Sequence, residues 1–193
     1  MKLFFTKQIA KIDKYTIEHE PVASIDLMER AASEIFKKIV EFFPTNSTFT
    51  IVAGSGNNGG DGLAVSRLLF IAGYSVRIFL LDISGKFSED CKINIERLKS
   101  LSNFDFSIIK SAESISFNKN EIIIDAIFGS GLTRNVEGFV AKIINKINGS
   151  GCKIVSIDIP SGLFGEDNSE NNLQNIVKAN YTLTLQFPKI SFF

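Results

Sequence analysis

The stretch Val52–Gly62, V-A-G-S-G-N-N-G-G-D-G, constrains the fold more than any other part of the chain. It follows the β-branched apolar run Phe49–Ala53 and leads into a helical pattern, Leu63–Ala72. Strand, glycine turn and helix, in that order, set backbone N–H groups and a helix N-terminus in front of an anion. Gly54 and Gly56 suit a tight turn and a close backbone approach to a ligand. Gly59, Gly60 and Gly62 fall where the helix begins, a loss of stability that needs a reason. Asn57, Asn58 and Asp61 add donors and oxygens that a connecting turn does not require. Gly54-x-Gly56-x-x-Gly59 literally matches the dinucleotide fingerprint, and Asp82, at the end of the next apparent strand, is placed like a ribose-binding acid. A P-loop is set aside because no Gly-Lys-Ser/Thr follows. An ordinary α/β turn uses one or two glycines, not five beside paired asparagines.

The rest of the chain alternates helix and strand patterns. Thr6 is expected to cap a helix over Lys7–His19 that Pro21 ends, and Ser24 to cap a second over Ile25–Phe43, with Met28 in the core. Strands are expected at Phe49–Ala53, Ser75–Leu81, Phe106–Ile109, Glu121–Ala126, Lys153–Ile157 and Tyr181–Leu185. Helices are expected at Gly62–Ala72, from a Ser88 cap to about Leu101, and after the loop Gly129–Gly138 to about Asn148. Ser111–Lys119 reads as polar helix or loop, and Gly165–Asn175 as an exposed acidic loop. The near-continuous apolar strands fit a parallel sheet covered on both faces. The expected fold is a three-layer α/β/α, Rossmann-like domain with an N-terminal helical extension. In such sheets a ligand lies beyond the C-terminal strand ends, and Gly54, Asp125 and Asp158 all stand there.

Composition excludes several functions. Lys+Arg 21 and Asp+Glu 21 cancel, and no basic stripe appears, so nucleic acid is not an expected partner. The apolar share of 45% contains no membrane-length run, and the opening M-K-L-F-F-T-K-Q lacks a signal-peptide core; a cytoplasmic protein is expected. Cys91 and Cys152 stand alone, without metal-ligand spacing, and read as buried thiols. His19, the single histidine, reads as a surface residue.

Asp125 and Asp158 each close an apolar strand and precede a glycine-containing loop, where a carboxylate needs donors or a cation. Either one alone reads equally well as a loop brace; both facing one glycine loop favour a site. Asn58, Asp125 and Ser161 offer oxygen only, which suits a hard cation. Arg134 is the one cation in these loops and is placed to meet a phosphate oxygen.

Taken together, G-S-G-N-N-G-G-D-G, then Asp125-Ala-Ile-Phe-Gly-Ser-Gly-Leu-Thr-Arg134, then Asp158-Ile-Pro-Ser-Gly162 resembles the YjeF N-terminal domain family, the NAD(P)H-hydrate epimerases. L-M-E-R-A-A (Leu27–Ala32) and A-N-Y-T-L-T-L (Ala179–Leu185) extend the likeness over nearly the whole chain as one domain, 1–193. The resemblance implies a potassium ion on Asn58, Asp125 and Ser161. It implies substrate contacts from Asn57, Asn58, Gly59, Gly60 and Asp61, from Gly129, Ser130, Gly131, Leu132, Thr133, Arg134 and Asn135, and from Asp158. The implied substrate is a small nucleotide, NADHX or NADPHX, whose C6 hydroxyl is epimerised, with Asp158 as acid/base and the pyrophosphate on the Asn57–Gly62 amides. A homodimer through the N-terminal part and functional coupling to a separate NAD(P)HX dehydratase are further implications. The family pattern continues past the last matched strand, whereas this sequence stops at Phe193 after Q-F-P-K-I-S-F-F. Two other readings stay open: an NAD-dependent oxidoreductase built on Gly54, Gly56, Gly59 and Asp82, and a non-catalytic nucleotide- or protein-binding module of the same fold.

Overall fold

A computed structural model describes residues 2–20, 22–102 and 104–193. Among these residues the chain forms helices α1 (Thr6–His19), α2 (Ser24–Phe42), α3 (Asn57–Ile71), α4 (Glu89–Lys99) and α5 (Gly138–Gly149). They alternate with strands β1 (Thr48–Ala53), β2 (Ser75–Leu81), β3 (Asp105–Ile109), β4 (Ile122–Ala126), β5 (Lys153–Ile157) and β6 (Tyr181–Leu183). The strands form one parallel sheet in the order β3-β2-β1-β4-β5-β6. The chain starts in the middle, at β1, and winds outward both ways, so a crevice opens where β1 and β4 part.

Side chains alternate across each strand, and that alternation builds two cores. Phe49, Ile51, Val76, Ile78, Leu80, Ile124 and Ile157 meet α2, α3 and α4 on one face. Val52, Phe79, Ile123 and Ile154 meet Ile143, Ile144 and Ile147 of α5 on the other. Strand β2 and strand β5 span the residues that the apolar runs predict, and Ser88 caps α4 by accepting the Cys91 N–H. Gly73, at φ +88°, ends the turn after α3 as expected. The stretch after β3 is a short 3₁₀ turn, Ala112–Ser114, and loop. His19 is exposed, stacked on Tyr15, and both cysteines are buried and free.

Three local expectations are corrected. Helix α3 begins at Asn57 rather than Gly62, so its glycines lie inside the first two turns. Thr6 is the first residue of α1, not its cap; its N–H and hydroxyl both donate to Glu166 Oε1, each at 2.6 Å. Ser24 likewise opens α2, and its hydroxyl donates to Asp90 Oδ2 at 2.6 Å. In both cases a distant carboxylate wins the hydroxyl over the local backbone. The Glu166 contact also ties down the Gly165–Asn175 loop, in which Gly165 is buried. The expected stop at Pro21 lies outside the described residues.

Gly54, Gly59 and Gly62 of the β1–α3 turn serve packing rather than turn conformation. None of Gly54, Gly56, Gly59, Gly60 or Gly62 has positive φ. A Cβ on Gly54 would sit 2.0 Å from the Ile127 carbonyl oxygen, and one on Gly59 1.8 Å from that of Gly54. On Gly62 it would meet Ala126 Cβ at 2.5 Å. Helix α3 therefore lies directly on the ends of β1 and β4, closer than any side chain allows.

Candidate active site

The crevice at the β1/β4 ends widens into a cavity of about 570 Å³. Its floor is Asn57, Asn58 and Asp61 of α3, Ser130, Asp158 and Lys189. Ile9, Asp13 and Ile17 of α1 and Met28 of α2 form the opposite wall. Helix α1 thus covers the opening, fastened at three points: Thr6 to Glu166, Phe4 against Phe187 at 4.6 Å between ring centroids, and Gln186 to Asp13.

Asp158 follows β5 directly and is 8% exposed. Its backbone is left-handed, φ +66°, which a non-glycine residue adopts only when its surroundings enforce it. Here the Asp158 N–H donates to Leu183 O at 2.9 Å, which fixes the turn against β6. Oδ2 accepts the Ser130 N–H at 3.1 Å, and Oδ1 pairs with Lys189 Nζ at 2.7 Å. Gln186, φ +57°, is the other non-glycine residue with positive φ among those described, and it also lines the cavity.

Asp61 has the opposite environment. It is buried, and among the described residues no group donates to its carboxylate. Burial, then the nearby carboxylates of Asp158, Asp90 and Asp13, push its pKa well above the usual carboxylate range. Asp13 is raised too, mainly by burial. One cavity thus holds a carboxylate paired with a cation and another that burial and like charges shift toward its neutral form.

Asp125 lies behind this floor, fully buried at the end of β4. Its Oδ1 accepts the Ser161 hydroxyl at 2.6 Å and the Ile127 N–H at 3.3 Å. Its Oδ2 accepts the Ser156 hydroxyl at 2.7 Å and the Ser161 N–H at 2.9 Å. Burial raises its pKa despite these four bonds. Ser161 Oγ accepts the Phe128 N–H at 2.9 Å and so joins the β5 loop to the β4 loop. Asn58 is buried, with both side-chain amide atoms unpartnered among the described residues. It abuts Gly129, where an added Cβ would lie 3.3 Å from both Asn58 Cβ and Asp158 Oδ2. A buried carboxylate without an ion-pair partner among the described residues, the Ser161 hydroxyl and an orphaned amide oxygen are a donor set that fits an oxygen-ligated cation. Among the described residues no group of three or more His, Cys, Asp or Glu converges as a metal site.

The sequence motifs therefore meet at one rim, but their members divide. Asn57, Asn58, Asp61, Ser130 and Asp158 line the cavity; Gly59 and Gly60 pack beneath it. Gly131, Thr133, Arg134 and Asn135 are exposed beyond the lining, and Leu132 packs toward the α5 core. Asn135 braces the later loop, accepting the Asn172 N–H at 2.8 Å. The amide cradle is shorter than Asn57–Gly62: because α3 starts at Asn57, the Gly60 N–H already donates to Gly56 O at 3.0 Å. First-turn amides, Asn57 to Gly59, remain available to an anion. Asp82 is engaged elsewhere, accepting the Gly85 N–H at 2.8 Å and pairing with Lys110 at 3.3 Å. Lys189 had no motif to announce it: it is a lone lysine in the apolar tail Phe187–Phe193.

No described helix is long and apolar enough to cross a membrane. The family model of the YjeF-related protein N-terminus matches residues 24–191. An NAD(P)H-hydrate epimerase of Oenococcus oeni is 38% identical over 186 residues, covering 96% of this chain and 85% of that protein. Another, of Lentilactobacillus buchneri, is 40% identical over 93% of this chain and 81% of its own length. The bifunctional NAD(P)H-hydrate repair enzyme Nnr of Thermofilum pendens is 34% identical over 98% of this chain, which spans 36% of that protein. The crystal structure of yeast ynu0 (YNL200c), 24% identical, shares the fold at a TM-score of 0.83 over 98% of this chain and 82% of the other.

Proposed function

Because the chain belongs to the family of YjeF-related N-terminal domains, we propose that it is an NAD(P)H-hydrate epimerase, an isomerase that interconverts the R and S forms of NADHX and NADPHX. One observation carries the assignment of the chemistry: Asp158, a buried carboxylate on left-handed backbone, stands at the cavity floor beside the N-terminus of α3. In the hydrated nicotinamide ring, C6 bears a hydroxyl beside the ring nitrogen. Epimerisation opens that centre, or removes its hydroxyl, and rebuilds it on either face. A single carboxylate that takes and returns one proton serves both directions, and Asp158 is assigned that role. The first-turn amides of α3 receive the pyrophosphate. Asn57, Asn58, Asp61 and Ser130 contact the substrate, with Gly129 and the loop to Asn135 bordering its approach.

Asn58, Asp125 and Ser161 are assigned to a potassium ion, which when bound supplies positive charge beneath the loops. The nucleotide is substrate, not cofactor. A dehydratase acting on one epimer consumes the product, in keeping with the relative in which a repair enzyme is bifunctional. The test feeds R-NADHX to the purified chain with an S-specific dehydratase present. The R form is consumed if the reading holds; consumption equal to a blank rejects it. Asp158→Asn is expected to lower the rate by about 100-fold or more with the fold intact.

A further inference from the structure

The sequence motifs leave out a buried cation. Lys189 is 2% exposed, and its ammonium has three protein acceptors: Asp158 Oδ1 at 2.7 Å, Leu185 O at 3.0 Å and Phe187 O at 3.1 Å. An ammonium has three protons to donate, so this one is fully used. A lysine buried this deeply with no counter-ion loses its proton, and a buried carboxylate with no cation gains one. Paired at 2.7 Å, the two opposite charges offset each other's burial. The carbonyls of Leu185 and Phe187 hold Nζ on the Oδ1 side, so among the described residues Oδ2 keeps only the Ser130 N–H and lies beside Gly129. The ammonium thereby sets the direction of the carboxylate.

The surroundings make such a clamp necessary. Besides Asp158 the cavity is lined by Asp13 from α1, Asp61 from α3 and Asp90 from α4, with Arg30 and Glu34 of α2 at its outer wall. Like charges therefore crowd one small space, which raises Asp61 and Asp13 above the usual carboxylate range after burial has done so. Asp61, which has no cation beside it among the described residues, is pushed that way. Asp158 is the carboxylate given a lysine.

We propose that Lys189 is a positioning residue for the epimerase reaction, holding the Asp158 carboxylate with Oδ2 turned to the substrate. The proposal rests on the epimerase reading and selects ring opening as its course. Asp158 takes the proton of the C6 hydroxyl, and the freed oxygen electron pair forms the C6=O bond. The C6–N1 bond breaks, and its electron pair passes to N1, delocalised through C2=C3 onto the carboxamide. The proton on Asp158 then moves to N1. Rotation about the chain and the reverse sequence close the ring on the other face, so one proton is taken and returned and nothing is oxidised or reduced.

The test is the pH dependence of kcat/KM for R-to-S conversion by the wild type, Lys189→Met and Lys189→Arg. Removing an opposite charge at this distance moves a carboxylate pKa by about 1–3 units. In Lys189→Met the acid limb is expected to move up by that amount, with rate regained at high pH, while Lys189→Arg keeps the limb near that of the wild type. A Lys189→Met protein that loses rate equally at every pH, with its acid limb unmoved, overturns the proposal. If Lys189→Met does not fold, the ¹³Cγ resonance of Asp158 in the wild type decides, assigned by its loss in Asp158→Asn. A carboxylate signal at pH 6 supports the clamp and a protonated one refutes it. A wild type that fails to convert R-NADHX sinks the epimerase reading instead, and the ¹³C titration still judges what Lys189 does to Asp158.

Discussion

Replacing Gly59 with alanine tests whether the glycines exist for contact rather than flexibility. The new Cβ would lie 1.8 Å from Gly54 O and 2.6 Å from Gly54 C, whereas real Cβ contacts essentially never fall under 3.0 Å. Helix α3 must therefore retreat from β1 by at least 3.0 − 1.8 = 1.2 Å. Both neighbours are backbone at the centre of the sheet, so no side chain can swing away. Overpacking of this kind costs about 3 kcal/mol or more, against roughly 1 kcal/mol gained in helix propensity. The net loss of about 2 kcal/mol corresponds to a Tm lower by roughly 4–8 °C for a chain of this size. The same shift carries Asn57, Asn58 and Asp61 with the helix, and a misplacement of about 1 Å costs on the order of 100-fold in rate. Gly56→Ala is the control: φ is −91° and nothing lies within 4 Å of its Cβ, so a change within about 0.5 kcal/mol is expected. Calorimetry and the coupled epimerase assay on both variants decide. Equal Tm and equal rate for the two would refute the claim that close approach sets these positions.

Asp61→Asn is expected to raise Tm, and more at pH 7 than at pH 4. The folded pKa of Asp61 is raised by burial, so the folded chain holds a proton that the unfolded chain releases above its ordinary value of 3.8. Stability therefore falls as pH rises from there toward the folded pKa, and asparagine removes that loss; a Tm gain independent of pH would contradict this. Ser161→Ala removes the 2.6 Å donor to Asp125 and the acceptor of the Phe128 N–H, a loss of about 1.5–3 kcal/mol by thermal unfolding. It should also abolish any stabilisation of the wild type by KCl over NaCl, and an undiminished potassium effect would remove Ser161 from the ion site.

The sheet was largely legible because its signals are local. Lys153–Ile157 and Ser75–Leu81 are apolar runs with no competing pattern, and the Ser88 cap needs only the Cys91 N–H three residues on. Asp125 and Asp158 were legible as carboxylates closing apolar strands. The misplaced start of α3 has a physical cause: glycines weaken a helix pattern locally, while the contacts that demand them, Gly59 to the Gly54 backbone and Gly62 to Ala126 of β4, exist only once the turn has folded back on the sheet. Thr6 and Ser24 were misjudged as caps because Glu166 and Asp90 are 160 and 66 residues away. Lys189 gave no signal at all, since a lysine amid phenylalanines looks like a surface residue until the backbone returns it beneath β5.

Helix α1 buries Ile9 alone and hangs on contacts to Glu166, Gln186 and Phe187. Its amides should exchange with solvent well before those of the sheet, and a protease should find it first. Such trimming would spare the melting point yet strip one side of the chamber, leaving a stable molecule that no longer shields its reaction from water.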